Sequence, residues 1–301
     1  MWDWIKWWAN FSDVIALLDS RQRDLHGTLM NWRELTWIGF DTETTGKYPI
    51  GSEICEIGAV KWRDGQVVEE FQELVRPRAK MSDEVIAIHG ITNEMVQDAP
   101  AIGDVLPRFY RFIQDGILVA HHAQFDMGFL AYEFERFCLS LPTPPVICTS
   151  LLSRKLIREA SNHRLQTLVQ LLGLTGGTAH RAKDDAYACL QVALECFKRL
   201  GELAGLDDIL RAMVRELLWS RFSIDELMEN QNVLSLVRAI EHRQPVEMVY
   251  RGGSRPGRER RVVPEGIVRN LDGDYLVARE PGATVTKRYL IDKVDSVVKT
   301  I

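Results

Sequence analysis

Two acids separated by one residue, Asp41 and Glu43, end an apolar run that is rich in β-branched and aromatic residues. The run over residues 35–40 predicts a buried strand, and side chains two apart on a strand point to the same side. The two carboxylates should therefore lie together, where they repel each other unless a cation lies between them. Taken alone, the pair fits an acidic turn after a core strand equally well.

Two more acids and a histidine suit the same chemistry. Asp126 begins a predicted helix after a short strand, and His180 and Asp185 lie where a loop becomes a helix. Four carboxylates can hold two divalent cations about 4 Å apart, the arrangement used for in-line phosphoryl transfer. His180 could then take the proton from water. Each residue alone also fits a structural role, and only their joint occurrence favours the metal site.

The elements that would position these residues form a mixed α/β pattern. Strands over 53–62 and 67–75 are joined by a turn at Asp64-Gly65, which predicts an antiparallel meander with the first strand. Short strands over 116–120 and 146–148 then alternate with predicted helices, which cover residues 101–113, 127–137, 165–172 and 182–200. This order predicts one mixed sheet covered by helices.

The last third of the chain changes character. A charged helical connector, with a capping box at Ser223, is followed by a helix over 232–244 and then by short strands. Three glycine-containing turns over about forty residues predict a small β-barrel. The arginines of 251–261 are predicted to lie in a loop that could contact phosphate. The predicted domains are a Trp-rich helical extension, an α/β domain, a connector and a barrel, at residues 1–33, 34–200, 201–231 and 232–301.

The length and composition of the chain indicate a globular protein with two domains of different charge. The 301 residues are enough for two domains, with 46% hydrophobic and 26% charged residues. The net charge of −5 is uneven, because residues 232–301 hold thirteen basic and nine acidic residues, which gives +4 and leaves −9 for the rest. An acidic first part suits metal binding, and a basic last part suits a polyanion.

Cysteine usage and hydropathy predict a cytoplasmic protein without a membrane span. Five cysteines with no C-x-x-C pair indicate reduced thiols rather than disulfides or a zinc site. There is no run of eighteen apolar residues and no evident signal peptide. Four tryptophans in the first eight residues favour a helix that packs on the body or on a second copy, which makes a homodimer a candidate assembly. An interfacial membrane anchor is the alternative.

Roughly residues 35–200 resemble the DEDDh family of 3′→5′ exonucleases. The matching motifs are Asp41-Thr42-Glu43-Thr44-Thr45-Gly46, Glu56-Ile57-Gly58-Ala59, His89-Gly90-Ile91-Thr92, Phe125-Asp126, and His180 with Asp185 at H-x4-D spacing. The resemblance implies an RNase H-like fold and two Mg²⁺ or Mn²⁺ ions held by Asp41, Glu43, Asp126 and Asp185. It implies that His180 is the general base and that the terminal nucleotide lies near Thr44, Thr45, His89 and Phe125. His122 departs from the pattern, since the family usually has asparagine there.

Residues 232–301 resemble a WYL domain. The matching positions are Tyr250, Arg261-Val262-Val263-Pro264, Gly266, Tyr275-Leu276-Val277-Ala278 and Arg288-Tyr289-Leu290-Ile291-Asp292, although Asp274 stands where the naming tryptophan is expected. The resemblance implies a small Sm-like β-barrel that binds a ligand or nucleic acid, with Arg261 and Arg288 as candidate contacts. A barrel that only aids dimerisation is the alternative.

Together the two resemblances imply a metal-dependent 3′→5′ exonuclease that acts on 3′ ends by two-metal-ion phosphodiester hydrolysis, with single-stranded DNA favoured over RNA. No polymerase tether is evident in the sequence. Two alternatives stay open: an exoribonuclease, and a WYL-type regulator that binds nucleic acid or a ligand and uses the exonuclease fold as a platform.

Overall fold

The structure, a computed structural model, describes residues 30–299. The predicted Trp-rich helical extension covers residues 1–33, and residues 1–29 of it lie outside the described part of the chain. Among residues 30–299, no helix is both long enough and apolar enough to cross a bilayer.

The described residues in the first two thirds of the chain contain five strands and seven helices. The strands are β1 (Trp37–Thr44), β2 (Ile54–Arg63), β3 (Gln66–Leu74), β4 (Ile117–Ala120) and β5 (Ile147–Cys148). The helices are α1 (Asp83–His89), α2 (Asn93–Val96), α3 (Ile102–Phe112), α4 (Gln124–Arg136), α5 (Thr149–Leu156), α6 (Leu165–Leu172) and α7 (Ala182–Leu200). The sequence patterns did not predict α5.

The last third of the chain begins with helices and ends with strands. The helices are α8 (Leu206–Met213), α9 (Ile224–Met228) and α10 (Gln231–Glu241), with a 3₁₀ turn at Trp219–Phe222. The strands are β6 (Val246–Tyr250), β7 (Arg258–Val268), β8 (Tyr275–Arg279), β9 (Lys287–Leu290) and β10 (Val294–Lys299), with a 3₁₀ turn at Ile291–Lys293. Arg258, Arg260 and Arg261 therefore lie on a strand, and the prediction of a loop there was wrong for these three residues.

The first sheet has the order β3-β2-β1-β4-β5. Strands β1, β2 and β3 form the predicted antiparallel meander, while β4 is parallel to both β1 and β5. All four residues of β4 are buried, as expected for an interior parallel strand. The predicted mixed sheet with flanking helices is confirmed. The carboxyl ends of β1, β4 and β5 meet at one edge of this sheet, which we call the catalytic edge.

Helix α7 lies directly on the sheet because two glycines remove side chains beneath it. A Cβ atom on Gly39 of β1 would lie 2.4 Å from the carbonyl oxygen of Ala186, and one on Gly58 of β2 would lie 2.1 Å from the backbone nitrogen of Lys183. Side chains cannot occupy such distances. The first turn of α7, which carries Asp185, is thereby held against β1 and β2.

The second sheet is antiparallel, in the order β10-β6-β7-β8-β9, and matches the small barrel-like domain predicted. Its core combines the inner faces of these strands with helix α10, through residues such as Val233, Leu236, Val262 and Leu276. The predicted connector contributes to both cores. Ile209, Trp219 and Phe222 pack in the first core, whereas Ile224 packs in the second.

The loop that follows β1 is built into the barrel domain. Ile50 forms an antiparallel bridge with Ile267 of β7, whose N–H donates to the Ile50 carbonyl at 3.2 Å. The Ile50 side chain is 1% exposed and belongs to the second core. Gly266 makes room for the Tyr48 side chain, and Pro49 packs over Gly128 of α4. This loop, residues 46–52, therefore lies between α4 and the barrel.

Candidate active site

Four acids from three elements meet at the catalytic edge. Asp41 and Glu43 are on β1, opposite Gly58 and Glu56 of β2. Asp126 lies in the first turn of α4, and Asp185 lies in the first turn of α7. Asp126 and Asp185 are 2% and 7% exposed, so both are buried polar groups that need partners.

Each buried acid is held by hydrogen bonds from a neighbouring segment. Thr42 donates to Asp126 Oδ1 from its backbone N–H at 2.9 Å and from its hydroxyl at 2.7 Å. The His180 backbone N–H donates to Asp185 Oδ2 at 2.9 Å, and the Gln166 amide donates to Oδ1 at 3.2 Å. The first pair joins α4 to β1. The second fixes the loop before α7.

The side chains of Glu43, His180 and Asp185 converge. One ring nitrogen of His180 and one oxygen from each carboxylate lie within 4.8 Å of one another, close enough to share a cation. His180 is exposed, and its backbone φ of 60° lies in the left-handed region. The imidazole can thus act either as a base beside the carboxylates or as a ligand among them.

The pKa values of all four acids are raised, as expected for buried carboxylates that lie close to one another. Burial, followed by repulsion from Asp185 and Asp126, raises the pKa of Glu43 to about 8. Burial raises the pKa of Asp126 to about 7, although the hydrogen bonds from Thr42 oppose the shift. Burial and the neighbouring carboxylates also raise the pKa of Asp41, and burial raises that of Asp185. Divalent cations would remove this repulsion.

A fifth acid, Glu56, serves another purpose. It is fully buried and accepts four hydrogen bonds: two from the Arg181 guanidinium at 2.7 and 3.2 Å, one from the Ala182 N–H at 3.0 Å and one from Gln72 at 2.9 Å. Burial raises the pKa of Glu56, but these hydrogen bonds outweigh burial and the pKa is lowered. Because Arg181 follows His180 directly, the pair anchors the loop that presents the imidazole. The position of Glu56 as a charged residue inside the apolar run of β2 is a sequence signal for a buried ion pair, but the sequence alone did not indicate its partner.

The predicted substrate residues lie around the same edge, and their contact with a nucleotide stays a prediction. The Thr44 hydroxyl donates to the Gly46 carbonyl at 2.7 Å, and the Thr45 hydroxyl accepts from the Glu53 N–H at 2.9 Å, so both hold the loop. His89 is 4% exposed and accepts from the Ile91 N–H. Phe125 is 39% exposed and packs on Phe129, so the side chain is accessible to a base.

The departure at His122 keeps the backbone that asparagine would give. His122 has a φ of 58°, in the left-handed region where asparagine and histidine are both enriched. Its neighbour His121 donates from Nε2 to the His163 carbonyl at 3.0 Å, and its Nδ1 lies 2.7 Å from the Thr149 hydroxyl. Burial, with His122 nearby, lowers the pKa of His121 to about 3, so this ring is neutral.

The candidate barrel contacts are both exposed. Arg261 on β7 and Arg288 on β9 have no carboxylate within 4.0 Å among residues 30–299. The Arg288 guanidinium lies 5.0 Å from the centre of the Tyr275 ring. By contrast, Arg260 donates to the carbonyls of Gly252 and Arg255, which gives it a structural role.

Family models match both parts of the chain. The model described as exonuclease matches residues 38–193, and the WYL domain model matches residues 231–298. The five acids described above and His180 all lie within the first match.

Several similar proteins match a little over half of this chain. A Mycobacterium tuberculosis protein, named as a bifunctional exonuclease/endonuclease, is 40% identical over 180 residues, which cover 57% of this chain and 28% of that protein. A PolC-type DNA polymerase III from Oceanobacillus iheyensis is 40% identical over 172 residues, which cover 57% of this chain and 12% of the polymerase. The matched region is thus a small part of both relatives. Among solved structures, exonuclease X in complex with 5′ overhanging duplex DNA is 30% identical, with 57% of this chain and 99% of that chain covered and a TM-score of 0.45.

Proposed function

Because the chain belongs to the exonuclease family matched over residues 38–193, we propose that it removes nucleotides from the 3′ ends of nucleic acid by metal-dependent phosphodiester hydrolysis. The observation that carries the proposal is the convergence of Asp41, Glu43, Asp126 and Asp185 with His180 at the catalytic edge.

The donor set fits two divalent ions of the Mg²⁺ or Mn²⁺ type. All four groups are carboxylates, the ligands that these hard cations prefer. Burial, and after it repulsion between carboxylates, raises the pKa values of these groups, so a cation would favour their charged forms. Asp41, Glu43, Asp126 and Asp185 would hold the ions. When bound, such ions supply charge stabilisation for the attacking and leaving oxygens of a phosphodiester.

The chain's own residues would orient the substrate and move the proton. His180 lies beside Glu43 and Asp185 and is exposed, so its imidazole can accept the proton of the attacking water. Glu56 and Arg181 would keep that imidazole in place. Phe125, which is accessible, would stack on the terminal base, and Thr44 and Thr45 would shape the loop beside it.

DNA is the favoured substrate, because most of the relatives at 36–40% identity are named as DNA polymerases. A panel of single- and double-stranded DNA and RNA, each with Mg²⁺ and with Mn²⁺, tests this choice. Faster release from RNA would make the protein an exoribonuclease.

The barrel domain would add affinity for the polymer through Arg261 and Arg288. Both arginines lack an acidic partner in the described part of the chain, and arginine suits bidentate phosphate binding. The charge of +4 over residues 232–301 offsets repulsion of a polyanion by the acidic remainder.

The decisive experiment measures nucleotide release from a labelled oligonucleotide by the wild type and by Asp185→Ala. We expect release that requires a divalent cation and is lost in the variant, while circular dichroism shows a folded protein. Near-wild-type release by a pure sample of Asp185→Ala would remove the basis of the proposal.

A further inference from the structure

Lysine and arginine side chains without a carboxylate partner among the described residues are concentrated in one segment of the exonuclease domain. Residues 34–200 contain seventeen Lys and Arg. Nine of them lie within 4.0 Å of a carboxylate. The other eight have no such partner within residues 30–299, and four of these eight fall in one eleven-residue segment: Arg154, Lys155, Arg158 and Arg164.

This segment has no free negative charge to balance it. Its single acid, Glu159, lies 2.6 Å from Arg199 of α7 and is thereby engaged. All four basic side chains are exposed. A concentration of unbalanced arginine on a domain whose residues 34–200 are otherwise acidic indicates an anionic partner.

Hydrogen bonds hold the segment next to the catalytic edge. The carbonyl of His163 accepts from His121, and the His163 ring contacts the Ser153 hydroxyl at 3.1 Å. Gln166, two residues after Arg164, donates to Asp185. The segment is thus connected both to the loop that precedes Asp126 and to Asp185 itself.

Arg154 and Lys155 are neighbours in sequence but lie in different surroundings. Arg154 follows Ser153, whose hydroxyl lies 3.1 Å from the His163 ring. Burial and then the charge of Arg154 lower the pKa values of His122 and His163, in agreement with this position. Lys155 instead lines a separate surface cavity of about 570 Å³ with Gly201, Glu202 and Arg211.

We propose that Arg154 and Arg164, which follow Ser153 and His163 directly in sequence, form a phosphate-binding strip for the backbone of the nucleic-acid strand that leads to the catalytic edge. The inference rests on the proposed function and extends it, because it assigns strand contacts to two named side chains of the exonuclease domain. The partner is the sugar–phosphate backbone, because exposed guanidinium groups bind phosphate oxygens in pairs.

The test compares Arg154→Ala and Arg164→Ala with Lys155→Ala, a matched loss of one exposed charge from the same helix as Arg154. Fluorescence anisotropy of a labelled single strand of about twenty nucleotides is measured in EDTA, so that the strand stays intact, over a range of salt concentrations. Each arginine variant should bind roughly three- to tenfold more weakly, and the slope of log affinity against log salt should flatten by about 0.7 per lost contact. Arg154→Lys should retain most of the slope, because it keeps the charge.

Equal affinity for the strand in Arg154→Ala, Arg164→Ala and Lys155→Ala would overturn the proposal. Melting temperatures identify any variant that fails to fold, in which case the charge-reversing Arg154→Glu on the exposed surface replaces it. The binding assay is independent of hydrolysis. A wild type that releases no nucleotide would therefore refute the proposed function, whereas unchanged binding by the arginine variants refutes the strip.

Discussion

Removal of divalent cations should make the stability of this protein depend strongly on pH between about pH 6 and pH 9. The pKa values of Glu43 and Asp126 are raised to about 8 and about 7 in the folded protein. A carboxyl group with a raised pKa stabilises the fold below its unfolded pKa, and this contribution is lost as the pH rises through the folded pKa. The metal-free protein should therefore be less stable at pH 9 than at pH 6.

The size of the effect follows from the shift at Glu43. The pKa rises from 4.5 to about 8, and about two units of this interval lie above pH 6. Each unit corresponds to about 1.4 kcal/mol, which sets an upper limit of roughly 3 kcal/mol between pH 6 and pH 9. Partial exposure and shared titration with Asp126 reduce this to about 1–2 kcal/mol. In a protein of this size, such a loss lowers the melting temperature by about 2–8 °C.

The assay is thermal unfolding in EDTA and in Mg²⁺ at both pH values. Mg²⁺ should raise the melting temperature more at pH 9 than at pH 6, because the carboxylates are then charged and bind the ion without losing protons. The control is Glu43→Gln combined with Asp126→Asn, which should remove most of the difference. A metal-free melting temperature that is the same at both pH values, or an equal Mg²⁺ shift at both, would refute the electrostatic reasoning.

Three further outcomes concern single residues. His180→Ala should lower turnover by roughly 10²–10⁴-fold with little change in metal affinity; unchanged turnover with lost metal binding would instead make His180 a ligand. Glu56→Gln should lower turnover by about tenfold through the freed Arg181 loop, and should add little in a His180→Ala background; full additivity of the two changes would argue against a shared role. Arg261→Ala and Arg288→Ala should each weaken binding of long strands and flatten the slope of log affinity against log salt by about 0.7. The exposed control Arg238→Ala should change neither quantity. Identical binding curves for all three variants would exclude nucleic-acid binding by the barrel.

Local patterns predicted the elements well where hydrophobic periodicity was strong. Helices α6 and α7 have the predicted bounds, and the meander of β1, β2 and β3 follows from short turns between apolar runs. The acids predicted for the site each stand at the end or the beginning of a regular element, as the patterns indicated. Such features depend on neighbours in sequence, which periodicity and capping rules describe.

Contacts between distant residues could not be predicted in the same way. Glu56 and Arg181 are 125 positions apart, and nothing local to either residue names its partner. The same is true of Gln166 with Asp185 and of Ile50 with Ile267. Gly58 shows the limit most clearly, since its lack of a side chain matters only because α7 crosses the strand at that point.

The bridge between Ile50 and Ile267 also has a consequence for the order in which parts of the protein fold during synthesis. Translation delivers the loop of residues 46–52 more than two hundred residues before the strand that covers Ile50. At about 5–20 residues per second, that interval lasts roughly 10–40 s. During this interval the first sheet can form, but the later strands that pack around Ile50 have not yet been synthesised. The loop next to Thr44 and Thr45 thus acquires its final packing only when the barrel folds, so a nascent chain completes this part of the proposed active site last.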